Sequence, residues 1–298
     1  MDPAAAAAEL LAGRRTLALT GAGISTDSGI PDYRGPGSPR RQPMMFAEFR
    51  SSADSRTRYW ARSHLGWRRV AAAQPNPGHR AVAELERRDA LCGLITQNVD
   101  GLHTRAGSRH VIELHGRLAD VVCLDCGGRT ERARVHRRLA ELNPGFAERA
   151  ADVAAPDGDA ELAPVDGFRV APCESCGGVL KPDVVFFGEA VPRDRVARCF
   201  ALVDTADALL VAGSSLAVLS GLRFVRHAHA RGVPIVIVNR GATRADGLAT
   251  LKIDAGCSEL LPALSALLAA PAVAATEARP PPRSSAAGAR ASLAGRAG

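Results

Sequence analysis

Four of the seven cysteines stand as two Cys-x-x-Cys pairs, Cys123 with Cys126 and Cys173 with Cys176, each followed at once by two glycines. Glycines there permit a tight knuckle that turns both thiolates toward one point, and two knuckles complete a tetrahedral shell of four sulfurs. This is the pattern of a zinc ribbon. With every position filled by protein the metal keeps no place for water, so one Zn2+ in a structural role is expected. The 46 residues between Cys126 and Cys173 exceed the usual spacing of about 15–20 and imply an insertion between the knuckles. Redox disulfides are the competing reading, which a reducing compartment disfavours. Cys92, Cys199 and Cys257 sit inside apolar strand-like or helix-like patterns, as buried small hydrophobes do.

A second chemistry is written between Gly21 and Arg34, GAGISTDSGIPDYR. The apolar run Thr16–Thr20 before it reads as a buried parallel strand. Gly21 permits the tight turn that must follow, and Gly23 lets main-chain N–H groups approach a pyrophosphate. By itself G-x-G is a weak signal that also suits an ordinary surface turn. The third glycine of the dinucleotide fingerprint is replaced by Thr26, and Pro31 stops any long helix. What favours a cofactor loop is the cluster Asp32, Tyr33 and Arg34, an acid, an aromatic ring and a guanidinium that a plain turn does not need.

Polar groups recur at the ends of other apolar runs. Gln97, Asn98 and Asp100 follow Leu91–Thr96, His115 follows Val111–Leu114, Gly213, Ser214 and Ser215 follow Ala208–Ala212, and Asn239, Arg240 and Gly241 follow Val233–Val238. In an open α/β sheet ligands lie beyond the carboxyl ends of strands, so these groups and the Gly21 turn should meet in one crevice. Asn98 and Asp100 point the same way in extended chain, although capping a turn is an equally good use of them. His115, beside a glycine, is a candidate general base with an ordinary pKa near 6.5. His103 and the surface-biased His64, His79, His110, His136, His227 and His229 receive no functional role.

These groups need a frame that presents strand ends side by side. Strand-like runs, with Leu251–Ile253 as the last, alternate with helical patterns at Gly78–Arg88, Asp194–Thr205, Ala217–Arg231 and Cys257–Ala269. The fold class expected is α/β, a Rossmann-type doubly wound parallel sheet with a smaller inserted zinc-ribbon and helical domain. Residues 10–35, 77–117 and 181–265 form the discontinuous nucleotide-binding domain. A helical insertion at 36–76 and a zinc module at 118–180 form the small domain. Residues 271–298, rich in Ala, Pro, Arg and Ser, read as a disordered tail.

The chain of 298 residues, 46% of them hydrophobic, can bury a large core, and none of its apolar runs reaches the roughly 18 residues of a membrane span. Asp2 and Glu9 make the first segment a poor targeting signal, so a cytoplasmic protein without a membrane partner is expected. The net charge of +7 comes from dispersed arginines, Lys181 and Lys252 being the sole lysines. That distribution argues for a GC-rich bacterial genome and against a specific nucleic-acid partner.

GAGIS with GIPDYR, then TQNVDGLH, ELHG, the two Cys-x-x-Cys pairs, KPDVVFFGE and GSSL, in this order, closely resemble the sirtuin family. The likeness spans about Leu10 to Pro262, and RYWARSHLGW, QPNPGHRA and the long segment between the pairs are similar to its class II branch. The resemblance implies NAD-dependent removal of acyl groups from protein lysines, in which the acyl oxygen attacks the ribose carbon as nicotinamide leaves and O-acyl-ADP-ribose is released. It implies His115 as base on a ribose hydroxyl, Asn98 and Asp100 around the nicotinamide ribose and carboxamide, and Gln97 at the ribose. Gly21, Ala22, Gly23, Ile24, Asp32, Tyr33 and Arg34 would hold the pyrophosphate and nicotinamide. Gly213, Ser214, Ser215, Asn239, Arg240, Gly241 and Cys257 would frame the adenosine half. Val184, Val185, Phe186, Phe187 and Gly188 read as an edge to which an extended acyl-lysine peptide adds, or as a plain core strand. Tyr59 and Arg62, spaced Y-x-x-R, resemble a pair with which another sirtuin branch reads acidic acyl groups, or form a solvated helix face. Competing functions are mono-ADP-ribosyl transfer in the same pocket and a zinc-ribbon binding module with an inactive nucleotide site.

Overall fold

The runs around Leu17, Leu94, Leu210 and Val236 are short, apolar and bounded by polar residues or glycine, so they pair as strands buried on both faces. The computed structural model of the chain describes residues 2–35, 43–148, 165 and 167–269, and the tail expected to be disordered lies outside them. In chain order the elements are α1 (Pro3–Leu11), β1 (Thr16–Thr20), α2 (Phe46–Ser51), α3 (Ala53–Ala72), α4 (Pro77–Arg87), β2 (Leu91–Thr96), α5 (Leu102–Arg105), β3 (Val111–Glu113) and β4 (Gly116–Cys123). They continue with β5 (Arg129–Glu131), α6 (Arg132–Leu142), β6 (Leu180–Val184), α7 (Arg193–Thr205), β7 (Ala208–Ala212), α8 (Leu219–Ala230), β8 (Ile235–Val238), β9 (Leu251–Ile253) and α9 (Cys257–Ala269).

Six strands form a parallel sheet in the order β3-β2-β1-β7-β8-β9. Strand order reverses between β1 and β7, as in a doubly wound dinucleotide fold, and the crevice beyond the reversal is where such sheets bind ligands. Alternating side chains serve opposite faces. Ala18, Leu94, Leu210 and Val236 pack with α1, α4 and α9, whereas Leu17, Ile95, Leu209 and Ile237 pack with α7 and α8. The expected Val233–Val238 run becomes strand only at Ile235, because Pro234 has no N–H for the ladder. Helix α1 was not anticipated; Asp2 caps it by accepting from the Ala4 N–H at 3.0 Å.

A second, antiparallel sheet, β5-β4-β6, packs on α3 and α6 through Trp60, Leu65, Val121, Val135, Leu139 and Leu180. Trp60 Nε1 donates to the Leu180 carbonyl at 3.1 Å, which ties α3 to β6. Beneath it Arg132 is wholly buried, its guanidinium 4.8 Å from the Trp60 ring and 5.4 Å from Trp67, donating to Ser63 O and Oγ. His64 stacks on His136 with ring centres 4.2 Å apart. His64, His79 and His103, which the sequence places near the surface or outside the site, are buried. For His64 the reason is that the inner face of α3 meets α6, a contact that periodicity in a polar helix does not reveal.

Burial, reinforced by the nearby Arg132 and Arg68 cations, lowers the pKa of His64 and of His136 to about 4. Below the ordinary value of about 6.5 the unfolded chain therefore binds protons that the native pair refuses. Stability present above that value is lost as pH falls toward about 4. Thermal melts should show Tm falling as pH drops from about 7 to about 5, with a shallower fall in a His64→Phe, His136→Phe double variant. A Tm that does not respond to acid in this window would contradict the burial argument.

Candidate active site

Glycine contacts bring the ends of β1 and β7 together. A Cβ on Gly213, whose φ is +64°, would lie 2.3 Å from the Ile24 nitrogen, and one on Gly21 would lie 2.8 Å from Ser214 Cβ. The Gly23 N–H donates to the Gly213 carbonyl at 2.8 Å, so each strand's turn is braced by the other's. Gly213→Ala should cost about 2–3 kcal/mol, lowering Tm by about 5–10 °C and weakening NAD binding, as melting and calorimetric titration would report. Unchanged values would show that the turn tolerates a side chain.

Beyond these turns opens a cavity of about 920 Å³, within the range of cofactor sites. Its walls include Gly21, Ala22, Gly23, Asp32, Tyr33, Arg34, Gln97, Asn98, Asp100 and His115 from the first half of the chain. Val184–Gly188, Gly213, Ser214, Ser215, Asn239, Arg240, Gly241 and Tyr59, also expected, line it too. Three expected residues lie off the wall. Ile24 is buried, with its carbonyl accepting from Asn76 Nδ2 at 2.7 Å; Cys257 is buried behind Gly78; Arg62 stands one helical turn beyond Tyr59. Ser25, which stands inside the GAGIS motif but has no expected role there, and Met44, Ser220 and Arg223, which carry no motif signal, join the lining.

A hydrogen-bond frame fixes the polar groups. Asn98 Nδ2 donates to the Gly21 carbonyl and to Ser25 Oγ, both at 3.1 Å, and Ser25 in turn donates to Asp100 Oδ2 at 2.7 Å. Asp100 Oδ1 also accepts from the Leu102 N–H at 2.8 Å, the turn-capping use weighed for it from sequence. Burial raises the Asp100 pKa, against the pull of these bonds. Behind Ser25 stands His79, whose Nδ1 accepts from the Asn76 N–H at 3.4 Å and whose Nε2 faces Ser25 Oγ at 3.4 Å. His103 faces Thr20 Oγ1 at 2.9 Å. Burial lowers both histidines, His79 to about 4 and His103 well below its ordinary value, so both are neutral supports of the frame. Gln97 Nε2 donates to Ser214 Oγ at 2.8 Å, joining the ends of β2 and β7.

His115 is half-buried on the cavity wall. Its Nδ1 lies 2.9 Å from the Gln97 carbonyl, which can only accept, so Nδ1 carries the proton and Nε2 keeps its lone pair. Burial lowers its pKa, opposed by that bond and assisted by Arg195 and Arg223. The ring is therefore a neutral base at pH 7.

The segment Val184–Gly188 leaves β6 along the cavity with much of its backbone engaged. Val185 N donates to His115 O at 2.8 Å, Phe186 N to Glu189 Oε2 at 2.8 Å, and Phe187 O accepts from Phe46 N at 2.9 Å. Glu189 is held by Lys181 Nζ at 3.0 Å, a buried amine that also donates to Val184 O at 2.5 Å. Tyr33 meets Phe187 edge-on at 5.8 Å, so the Gly21–Arg34 loop touches this segment directly.

At the far end of β4 and β6 the sulfurs of Cys123, Cys126, Cys173 and Cys176 all lie within 4.8 Å of one another. The Cys123–Cys176 and Cys126–Cys173 separations are 3.6 and 3.9 Å. A tetrahedral zinc thiolate with bonds of about 2.3 Å places its sulfurs about 3.8 Å apart, so the set fits Zn2+. The knuckles are alike: Gly127 N donates to Cys123 O at 3.0 Å and Gly177 N to Cys173 O at 2.9 Å. Among the described residues no helix is long and apolar enough to cross a membrane.

A dinucleotide-type sheet joined to a four-cysteine zinc module, with a polar cavity lined by a neutral histidine and an apolar strand end at their junction, defines a nucleotide-dependent enzyme class. The Sir2 family model matches residues 21–220, and the chain belongs to that family. It is similar to the NAD-dependent protein deacetylase 1 of Mycobacterium avium, with 59% identity over 260 residues covering 86% of this chain and 92% of the relative. It is also 50% identical over 256 residues to the mitochondrial NAD-dependent protein lipoamidase sirtuin-4 of Bos taurus, covering 84% and 81% of the two chains. A solved Sir2 complex with a p53 peptide and NAD+ superposes with a TM-score of 0.67 at 34% identity, covering 85% of this chain and 93% of the other.

Proposed function

We propose that this chain is an NAD-dependent protein-lysine deacylase that works in the bacterial cytoplasm on extended acyl-lysine peptides. The observation that carries this reading is the convergence of Asn98, Asp100, His115, the Gly21–Arg34 loop and Val184–Gly188 on one cavity. Bound NAD supplies the electrophilic ribose carbon with nicotinamide as leaving group. The chain supplies orientation and one base. The turn Gly21–Gly23, whose glycines pack against Gly213 and Ser214, borders the place for a pyrophosphate, and the Arg34 and Arg223 guanidinium groups on the wall favour its charge. The Ser25-linked pair Asn98 and Asp100 holds the nicotinamide end, with Asp32 and Tyr33 closing over it. Gln97 borders the ribose, while Ser214, Ser215, Asn239, Arg240 and Gly241 border the adenosine. His115 takes a proton at Nε2, the one ring nitrogen that carries none in the neutral ring.

Peptide docking in this reading uses backbone groups of Val184–Gly188 left over from the internal bonds. Tyr59 stands at the acyl end with Met44, and Arg62 acts on acidic acyl chains only if α3 turns it inward. The likeness to a lipoamidase and the RYWARSHLGW segment support a class II assignment. The test is to incubate the protein with NAD and a panel of acyl-lysine peptides and identify products by mass spectrometry. Free lysine peptide, nicotinamide and O-acyl-ADP-ribose support the reading; a labelled protein acceptor without deacylated peptide would support ADP-ribosyl transfer instead.

A further inference from the structure

The lone pair that His115 needs is not facing empty cavity. Its Nε2 lies 2.8 Å from Ser220 Oγ, a hydroxyl on the first turn of α8 that is 8% exposed and lines the cavity. Because Nδ1–H is committed to the Gln97 carbonyl, Nε2 of the neutral ring can only accept, and Ser220 must be the donor. Around the ring the charged groups are Arg195 from α7 and Arg223 from α8, both of which oppose an imidazolium. Gln97 on the β2 side offers a carbonyl to Nδ1 and nothing to Nε2. Once Nε2 has gained a proton, the nearest acceptor for it is the oxygen of Ser220.

We propose that Ser220 is a positioning residue for the base, a reversible hydroxyl that holds the His115 ring in one orientation in both protonation states. In the neutral state Ser220 O–H donates to Nε2. When Nε2 takes a proton from the substrate, the hydroxyl keeps its own hydrogen, rotates it away and accepts Nε2–H on an oxygen lone pair. No covalent bond to Ser220 forms or breaks. The second arrangement involves a charged donor and is the stronger of the two, so the hydroxyl favours the imidazolium against Arg195 and Arg223. This role rests on His115 being the base of the proposed deacylase. A hydroxyl at this position carries no motif signal, since its partner is 105 residues away in the chain.

The test is the pKa of His115 in the free protein, followed by NMR titration of the ring, beside the deacylation rate. Ser220→Ala should lower that pKa by about one unit and kcat by about tenfold, with KM for NAD and peptide little changed. Ser220→Thr, which keeps the hydroxyl, should restore both. An unchanged or raised pKa in Ser220→Ala, or a threonine variant no better than alanine, overturns the proposal. Alanine is favoured in helices, so folding of Ser220→Ala is expected, and the threonine comparison stands independently of it. Inactive His115→Ala with normal Ser220→Ala sinks this inference alone. Active His115→Ala sinks the assignment of the base and the role of Ser220 with it.

Discussion

Substituting His115 by alanine should lower the deacylation rate by about 100-fold to 10,000-fold while leaving the melting temperature and zinc content close to those of the parent protein. The ring is held from two sides by single hydrogen bonds, to the Gln97 carbonyl at 2.9 Å and to Ser220 at 2.8 Å. Removing it leaves a buried hydroxyl and a carbonyl beside a cavity wide enough for water, so the stability cost is small. The rate loss is large because no other described side chain on the cavity wall offers a neutral base at pH 7. His79 and His103 are neutral too, but their rings are committed to Ser25 and Thr20 below the wall. The pH dependence follows from the same surroundings. Burial lowers the His115 pKa, so the ring stays unprotonated somewhat below the ordinary value of about 6.5. The acidic limb of kcat/KM should accordingly fall below that pH, and a limb well above it would assign the base elsewhere.

Cys123→Ser should release the metal, lower Tm by about 10 °C or more, and abolish deacylation although the residue is not on the cavity wall. The link is the β4–β6 ladder. Cys123 pairs with Leu180 at one end of it, and Gly116 pairs with Val184 at the other. Gly116 directly follows His115, and Val184 opens the proposed peptide segment. Loosening the knuckles therefore frees the strands that set the spacing between base and peptide. Zinc binding to small peptides is worth about 10–16 kcal/mol, as large as the whole net stability of an ordinary domain, about 5–15 kcal/mol. Elemental analysis and melting with and without a chelator would measure both effects. Full activity in a metal-free protein would show that the Trp60 and Leu139 core holds the ladder unaided.

Much of the site was legible because local chemistry and chain order agree. The two glycine-flanked cysteine pairs needed only their spacing to be recognised, and the apolar runs ending in Gly21, Gln97 and Gly213 needed only the rule for strand ends in α/β sheets. Thr26 in place of the third glycine also read correctly: two short 3₁₀ turns, Ala22–Ile24 and Thr26–Ser28, follow β1 where a long helix would otherwise begin. Less legible were the histidines. In α3 and α4, His64 and His79 sit among arginines, so composition places them in solvent, and only packing against α6 and the Ser25 turn buries them. The segment Val184–Gly188 was half legible, since an apolar run says nothing about which of its N–H and carbonyl groups Phe46, Glu189 and His115 will occupy.

From the sequence alone came the kinds of group available: four thiolates for a metal, glycines for a phosphate turn, and an amide, an acid and an imidazole at strand ends. Those follow from covalent chemistry and short-range backbone geometry, which neighbours in the chain determine. Only the tertiary structure decided which nitrogen of His115 is basic, that Ser25 joins Asn98 to Asp100, and that Ser220 meets the base. Each depends on groups tens of residues apart brought within about 3 Å, a distance at which a hydrogen bond forms and which no local pattern encodes.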